Sequence, residues 1–155
     1  FEAFKQKEFE ENIGKINFIQ DNESKSKYGV LRGLHYQLPP YAQSKLVRVI
    51  KGSVLDVALD IRKDSPTFGY HVAKELSEEN KKQMFIPKGF AHGYVTLSSD
   101  AIFAYKVDNY YAPDYEGALY YNDAKLNISW MLPDNDIQLS EKDSKTPKLE
   151  KAKLF

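Results

Sequence analysis

The sequence predicts an all-β chain, either a sandwich or a barrel, and the spacing of its short apolar runs is the main reason. From residue 45 to residue 108, short alternating segments are separated by polar turns. The alternation is clearest over residues 54–62, where Leu55 and Val57 share one face while Val54 and Asp56 share the other. Many short strands with regularly spaced turns are typical of sandwiches and barrels.

The elements follow in order from the N-terminus. Residues 1–14 predict a short helix, because Phe9 and Ile13 lie four apart and Gly14 follows as a stop signal. Residues 20–28 are polar throughout, and we expect a loop there. The run RGLHYQ (32–37) has the pattern of a half-buried strand around His35. Further strands are expected at residues 45–50, 54–62, 67–76, 84–87, 91–97 and 101–108.

Polar turns and an irregular C-terminal part complete the prediction. Residues 51–53 (KGS) predict a turn, and residues 77–83 predict a polar turn, with Ser77 as a candidate cap for a single helical turn. Beyond residue 109 the pattern is less regular, and Trp130 is expected to anchor a core. The closing residues form a polar, Lys-rich tail.

Composition narrows the classes of function. The 22 Lys and Arg balance the 22 Asp and Glu, so no overall field attracts nucleic acid or an anionic membrane. The absence of Cys excludes disulfides, thiolate nucleophiles and zinc–sulfur sites. No run approaches the ~20 apolar residues of a membrane span, and no signal peptide is visible. We expect one cytoplasmic domain over residues 1–155, with a trimmed N-terminus, since the chain begins at Phe1.

Four motifs, in order, resemble one enzyme family. They are GVLRGLHYQLPPYAQSKLVRVIKGSVLDVALDIRKDSPTFG (29–69), IPKGFAHGYVTLS (86–98), AYKVDNYYAP (104–113) and LSEKD (139–143). Together they resemble the dTDP-4-dehydrorhamnose 3,5-epimerase family over residues 1–147. The resemblance implies a cupin-type jelly roll, or double-stranded β-helix, with short flanking helices, and a homodimer. It also implies epimerisation at C3 and C5 of dTDP-4-dehydro-6-deoxy-D-glucose to dTDP-4-dehydro-L-rhamnose, without a metal or other cofactor.

The histidine of RGLH is the candidate general base. A proton on a carbon next to a ketone is weakly acidic, and a neutral imidazole with a pKa near ~6.5 can accept it. The resemblance assigns this role to His35 and implies that Asp143 orients it. Two alternatives stay open from the residues alone. A strand histidine is often structural, and Ser140 with Asp143 also matches the N-terminal cap of a short helix.

Two further residues complete the implied catalytic set. Lys45 shares a strand face with Val47, and the resemblance implies that it stabilises the enolate oxyanion. A lysine at a sheet edge is the alternative. Tyr105 shares a face with Phe103 and Val107, and the resemblance implies a proton donor on the opposite face of the sugar from the base. A core tyrosine with a satisfied hydroxyl is the alternative.

The resemblance implies substrate contacts for Arg32, Gln37, Tyr111, His92, Glu2 and Lys142. Arg32 would bind the diphosphate. On an ideal strand Arg32 and His35 point to opposite faces, so Gly33 would have to mark a bulge. Tyr111 would stack on the thymine base, whereas Tyr110 is expected to pack.

His92 lies in Pro87-x-Gly89-x-x-His92, which resembles the second cupin motif. In metal cupins that histidine is a ligand, and the first motif supplies the others. The stretch after Gly52 contains neither His nor Glu, so we expect no metal centre, and His92 is expected to be a pocket-wall or structural histidine. No role is expected for His71.

The opening residues FEAF resemble the end of a family motif whose counterpart reaches into the partner's site, with Glu2 and Phe4 at matching positions. The arginine of that motif would precede Phe1. Two other functions stay open. One is an epimerase that inverts only C3 or only C5 of a related dTDP-4-keto-deoxysugar, and the other is a non-catalytic jelly roll that binds a sugar nucleotide.

Overall fold

Two antiparallel sheets packed face to face form the body of the computed structural model, which describes residues 1–155. Helix α1 (Gln6–Asn12) precedes the strands, and helix α2 (Glu141–Ser144) lies near the C-terminus. The strands are β1 (Gln20–Lys27), β2 (Leu31–Gln37), β3 (Lys45–Lys51), β4 (Ser53–Asp60), β5 (His71–Ser77), β6 (Gln83–Ile86), β7 (Phe90–Thr96), β8 (Asp100–Val107) and β9 (Glu116–Ala118). No helix is long and apolar enough to cross a membrane.

The strand order is that of a jelly roll. One sheet has the order β1-β8-β3-β6, and the other has the order β5-β4-β7-β2-β9. Successive strands therefore alternate between the sheets except at the β4–β5 hairpin, as in an eight-stranded double Greek key with one added edge strand. The predicted all-β jelly roll with short flanking helices is confirmed.

The N-terminal helix is confirmed, and it is held by aromatic packing. Phe9 on α1 packs against Phe4, Phe18 and Phe85, with ring centroids 5.3–5.7 Å apart. The helix ends before Gly14, whose φ of +119° lies in a region that side chains with a Cβ rarely adopt.

The predicted loop at residues 20–28 is wrong, because this segment is strand β1. All eight residues of β1 pair with β8 at the edge of the four-stranded sheet. Its exposure alternates, and Asn22, Ser24 and Ser26 are its less exposed residues. The inward residues are small and polar, and for this reason the segment has no apolar period. The backbone pairing to β8 specifies the strand instead.

The start of β5 and the candidate helical turn after it also differ from the prediction. Strand β5 begins at His71 rather than at residue 67, because the Thr67 hydroxyl donates to Asp60 and the Gly69 amide donates to the Asp60 carbonyl in a turn. The polar turn after β5 is present. Ser77 Oγ accepts from the Asn80 amide at 3.0 Å as a cap would, but no helix follows.

Strand β4 is buried on both faces, and this divides the core in two. Its Val54 and Ala58 belong to a cluster between the sheets, with Val47, Val49, Leu76, Ile86, Tyr94, Ala101 and Phe103. Its Leu55, Val57 and Leu59 belong to a second cluster on the outer face of the five-stranded sheet. The face of β4 that carries Asp56 is therefore the one that looks into the sandwich.

The irregular C-terminal part covers that outer face. Trp130 is buried, as predicted, and its indole N–H donates to the Tyr121 carbonyl at 3.0 Å. Leu119, Leu126 and Trp130 pack in the same cluster as Leu55 and Val57. The C-terminal segment thus closes the five-stranded sheet from outside, and it brings α2 to the end of β2.

Candidate active site

A bulge in β2 places Arg32 and His35 on the same face. Arg32 pairs with Tyr94 and His35 pairs with His92, so three steps along β2 match two steps along β7. Gly33 lies within the bulge with a φ of +131°, and a Cβ there would be 2.4 Å from the Gly93 Cα. Only glycine fits this position, which confirms the bulge expected from the sequence.

Cross-strand pairing groups the polar side chains on the inner face of the five-stranded sheet. His92 lies directly opposite His35 on one side and opposite Ala58 on the other. One row along, Tyr94 lies between Arg32 and Asp56. Directly opposed side chains share a face and lie close enough to interact.

The predicted pairing of His35 with Asp143 is present. His35 Nε2 lies 2.6 Å from Asp143 Oδ1, and the His35 side chain is 29% exposed while that of Asp143 is 5% exposed. Burial alone would raise the pKa of Asp143, but the hydrogen bond from His35 and a contact with Ser140 hold it below its usual value. With Nε2–H donating to Asp143, His35 Nδ1 has no protein partner and is left to accept a proton.

The helix-cap interpretation of Asp143 is also correct. Ser140 Oγ accepts from the Asp143 backbone amide at 3.0 Å, at the start of α2. The backbone of Asp143 therefore belongs to the cap, while its carboxylate points to His35. The cap fixes the position from which the carboxylate acts.

The four-stranded sheet contributes Lys45 and Tyr105, each on the strand face that the sequence predicted. Burial lowers the pKa of Lys45 to about 8, against the opposing attraction of Asp56 and Glu116. Burial raises the pKa of Tyr105, with a further increase from Tyr94 and a decrease from Arg32. At neutral pH the lysine can still carry a proton, and the tyrosine hydroxyl keeps its own.

Two adjacent cavities lie between the sheets. The outer one, about 360 Å³, includes Gln20, Asn22, Gln43, Tyr111 and Glu116 in its lining. The inner one, about 180 Å³, includes Ser24, Arg32, His92, Tyr94 and Phe103. His35, Lys45 and Tyr105 line both cavities. Three of the four predicted catalytic residues thus lie at the junction of the two cavities.

Tyr111 and Lys142 meet at the mouth of the outer cavity through Glu116, which the sequence interpretation missed. The Tyr111 hydroxyl donates to Glu116 Oε2 at 3.0 Å, and Lys142 forms an ion pair with the same oxygen. Tyr111 itself is 57% exposed, so its ring is open to a ligand. Glu116 lies in the polar run after Pro113, where nothing in the sequence separates it from an ordinary loop carboxylate.

Gln37 lies in the lining of the outer cavity, but its amide is fully occupied. It donates to the carbonyls of Tyr41 and Tyr110, and it accepts from the Ala112 amide at 2.8 Å. Its side chain therefore holds the two loops at the cavity mouth. The expectation that Tyr110 packs is wrong, because its side chain is 64% exposed and only its backbone is held.

The structure does not bring Glu2 to this site within one chain. Glu2 is exposed and pairs with Lys5 at 2.5 Å, outside both cavities. Arg32 does reach the inner cavity, where its Nε donates to Ser26 Oγ at 3.1 Å.

His92 lies in the wall of the inner cavity, as predicted, and its partner is Asp56. His92 Nε2 lies 3.0 Å and 2.9 Å from the two Asp56 oxygens. The sequence offers one signal for Asp56, a carboxylate among the apolar residues 54–59. No three His, Cys, Asp or Glu side chains converge as metal ligands. His71 lies on β5, outside both cavities.

Comparisons with known proteins give one consistent family. The profile of a family described as dTDP-4-dehydrorhamnose 3,5-epimerase matches residues 1–151. A protein of that name from Salmonella typhimurium is 54% identical, over 99% of this chain and 84% of its own length. A Legionella pneumophila 3,5-epimerase, solved with dTDP-4-keto-L-rhamnose, is 51% identical with a TM-score of 0.93, covering 97% of this chain and 79% of that one. A 3'-monoepimerase from Streptomyces bikiniensis, solved with dTDP-quinovose, is 31% identical with a TM-score of 0.88, covering 96% of this chain and 75% of that one.

We expect Lys45→Met to stabilise the fold at neutral pH. Below pH 8 the folded protein holds a lysine charge that burial disfavours, and the penalty disappears as pH rises from about 8 toward the ordinary lysine value of 10.5. At pH 7 the variant should gain about 1–3 kcal/mol in the free energy of unfolding. Urea denaturation across pH 6–10 measures this, and the gain should shrink at the alkaline end.

Lys106→Met is the matched control, because Lys106 lies on the outer face of the same sheet and pairs with Asp21 at 2.9 Å. It should give no such gain. A Lys45→Met protein that is no more stable than the wild type at pH 7 would contradict the prediction.

Proposed function

The chain belongs to the dTDP-4-dehydrorhamnose 3,5-epimerase family, and we propose that it inverts C3 and C5 of dTDP-4-dehydro-6-deoxy-D-glucose to give dTDP-4-dehydro-L-rhamnose. One observation carries the proposal most strongly. His35 belongs to the five-stranded sheet and Tyr105 belongs to the four-stranded sheet, and both line the same space between the sheets. A sugar placed there meets a base on one face and an acid on the other.

The base step uses the pair His35 and Asp143. With its Nε2–H held by Asp143, the imidazole accepts the sugar C–H proton at Nδ1. The C–H bonding pair becomes the carbon–carbon double bond of the enolate, and the π pair of the ketone moves onto its oxygen. The resulting imidazolium lies 2.6 Å from a buried carboxylate, which stabilises the positive charge. A carboxylate that stays ionised is required, and the lowered pKa of Asp143 supplies it.

The enolate oxygen needs a positive partner, and Lys45 is placed to be one. Its ammonium is partly buried, so its interaction with a developing oxyanion is stronger than in water. Inversion then needs a proton from the opposite face, because the base alone returns its proton to the face from which it came. Tyr105 supplies that proton from the other sheet.

The outer cavity suits the nucleotide. The exposed ring of Tyr111 offers a stacking surface for thymine, and Lys142, which pairs with Glu116 of the cavity lining, offers positive charge for the diphosphate. Arg32, the other residue expected at the diphosphate, lines the inner cavity instead. Gln37 contributes by holding the loops around the mouth of the cavity. The relative solved with dTDP-4-keto-L-rhamnose supports a dTDP-sugar as the ligand of this fold.

Inversion at a single carbon is the second candidate function. The Streptomyces bikiniensis 3'-monoepimerase has the same fold at 31% identity, so the fold serves both reactions. The higher identity to the 3,5-epimerases favours double inversion.

In D2O the wild-type protein should introduce deuterium at both C3 and C5 of dTDP-4-dehydro-6-deoxy-D-glucose, since each inversion exchanges a carbon-bound proton with solvent. NMR of the recovered sugar measures this. His35→Ala should lose exchange at both carbons by roughly 10²–10⁴-fold, the worth of a positioned general base. Asp143→Asn should lose less.

Other patterns of deuterium incorporation would point to other functions. Deuterium at one carbon would establish the mono-epimerase, and deuterium at neither would leave a binding protein. A His35→Ala variant with most of the wild-type exchange rate would remove His35 from the role of base.

Tyr105→Phe should separate proton abstraction from inversion. His35 still removes the proton and returns deuterium to the same face, so the substrate gains deuterium with its configuration retained. Inverted product should fall by roughly 10²–10⁴-fold, because the donor on the far face is missing. NMR and chromatography of the nucleotide sugars measure both quantities. Tyr94→Phe is the control for loss of a neighbouring hydroxyl, and inverted product at the wild-type rate from Tyr105→Phe would exclude Tyr105 as the acid.

We further propose a metal-independent, cytoplasmic homodimer whose single domain spans residues 1–155. A shallow cavity of about 330 Å³, lined by Phe4, Leu46, Ile50 and other residues, lies on the outer face of the four-stranded sheet beside the N-terminal segment. A second copy packed there would cover these apolar side chains and would give Glu2 access to the partner's site. The scarcity of grouped metal ligands supports metal independence.

Light scattering should give the mass of two chains, and activity should survive EDTA. We expect a dimer because Phe4, Leu46 and Ile50 lie together on the outer face of the four-stranded sheet. We expect activity in EDTA because the proposed mechanism uses only protein side chains. Deleting residues 1–4 should weaken the dimer, whereas truncating the C-terminal Phe155 should not. A fully active monomer, or activity lost on chelation and restored by metal, would contradict this proposal.

A further inference from the structure

Asp56 is a charged side chain of the inner sheet face that the proposed mechanism leaves without a task. It is completely buried, on the β4 face that looks into the sandwich. A buried carboxylate is costly unless it is paired and hydrogen-bonded. A hydrophobic residue would fit this strand position, as Val54 and Ala58 do on either side. The presence of a carboxylate here therefore calls for a specific partner.

That partner is His92, and the contact fixes how the imidazole is presented. Both carboxylate oxygens of Asp56 lie within 3.0 Å of Nε2, so Nε2 carries a proton and donates it. Nδ1 has no protein partner. Nδ1 of His92 is not a fully buried atom, because Thr96 Oγ1 is the only fully buried side-chain polar atom without a hydrogen bond. Since His92 lines the inner cavity, its Nδ1 is open to that cavity.

The same carboxylate acts on Lys45 from across the sandwich. Its negative charge raises the pKa of the lysine and opposes the effect of burial, and Glu116 on β9 does the same. The other titratable or charged groups that line the two cavities are His35, His92, Arg32, Tyr36, Tyr94, Tyr105 and Tyr111. Of these groups and the two carboxylates, only Asp56 contacts His92 and also favours the charged form of Lys45.

We propose that Asp56 is a positioning residue for the inner cavity: it holds His92 with Nδ1 facing the sugar as a hydrogen-bond acceptor. The inference rests on the proposed function for the identity of the ligand. The ligand group that His92 would recognise is a hydroxyl of the hexose, since an unprotonated Nδ1 accepts a hydrogen bond.

Asp56→Asn is the test, because asparagine keeps the shape and removes the charge. Its amide can present either its oxygen or its N–H to Nε2 of His92, so the constraint that keeps the proton on Nε2 is lost. Nitrogen-15 NMR of labelled histidine reports the tautomer directly, and the signals of the three histidines can be assigned through His71→Gln and His35→Ala variants. We expect the Nε2–H tautomer of His92 in the wild type and a mixture of the two tautomers in Asp56→Asn.

Kinetics give the second readout. Loss of the Asp56 charge lowers the pKa of Lys45 further, so the alkaline fall in kcat/KM should move to lower pH. At neutral pH, kcat/KM should drop roughly 10- to 100-fold, as expected for loss of a hydrogen bond to a charged group. The matched control is Asp60→Asn. Asp60 is buried on the same face of β4, but it binds Arg62, Ser65 and Thr67 away from the cavities.

Asp60→Asn should leave the tautomer of His92 and the pH profile unchanged. If Asp56→Asn behaves in the same way, or if His92 keeps its tautomer, Asp56 is only structural and the proposal fails. If the wild type shows no solvent exchange into the sugar, the proposed function fails instead, and the tautomer measurement still decides whether Asp56 positions His92.

Discussion

Charged groups that lie between two apolar sheets must find their partners within the interior, because an isolated ion there costs several kcal/mol. Most of the site follows from this constraint. His35 faces Asp143, His92 faces Asp56, and Lys45 lies in the field of Asp56 and Glu116. In both histidine pairs the carboxylate contacts Nε2, so Nδ1 stays free for a ligand. The lowered pKa of Lys45 shows that Asp56 and Glu116 do not fully offset the cost of burying its charge. A negative charge that develops on a ligand beside Lys45 would offset the rest of that cost.

The C-terminal segment has two tasks that are physically linked. Its apolar residues, among them Leu119, Leu126 and Trp130, cover the outer face of the five-stranded sheet. The same segment carries α2, whose first turn is capped by Ser140 and delivers the Asp143 carboxylate to His35. Packing on the outer face of the sheet therefore fixes the partner of a residue on its inner face. Substitutions that loosen this packing should displace the Asp143 carboxylate and so weaken its hydrogen bond with His35.

The division of the chain into two sheets separates the base from the acid. Side chains on one face of a single sheet all lie on the same side of a bound sugar. A base and an acid on the same sheet could therefore not reach opposite faces of that sugar. The jelly-roll order places β2 in one sheet and β3 with β8 in the other, so His35 opposes Lys45 and Tyr105 across the cavities. The bulge at Gly33 then adds Arg32 to the face that carries His35.

The sequence by itself determined the strand periods and the motif residues. Alternation in β4 grouped Asp56 with Val54, alternation in β8 grouped Tyr105 with Phe103, and the resemblance of the motifs singled out His35, Lys45 and Asp143 as candidates. It did not reveal β1, because Asn22, Ser24 and Ser26 fill the inward positions with small polar groups and leave no apolar period. The alternation of apolar and polar residues along one strand indicates only which residues share a face. Only the tertiary structure decided which face of β4 is interior, that Asp56 meets His92, and that Glu116 joins Tyr111 to Lys142. Those contacts depend on pairing between strands and loops that are distant in the chain, and no spacing within a single segment records them.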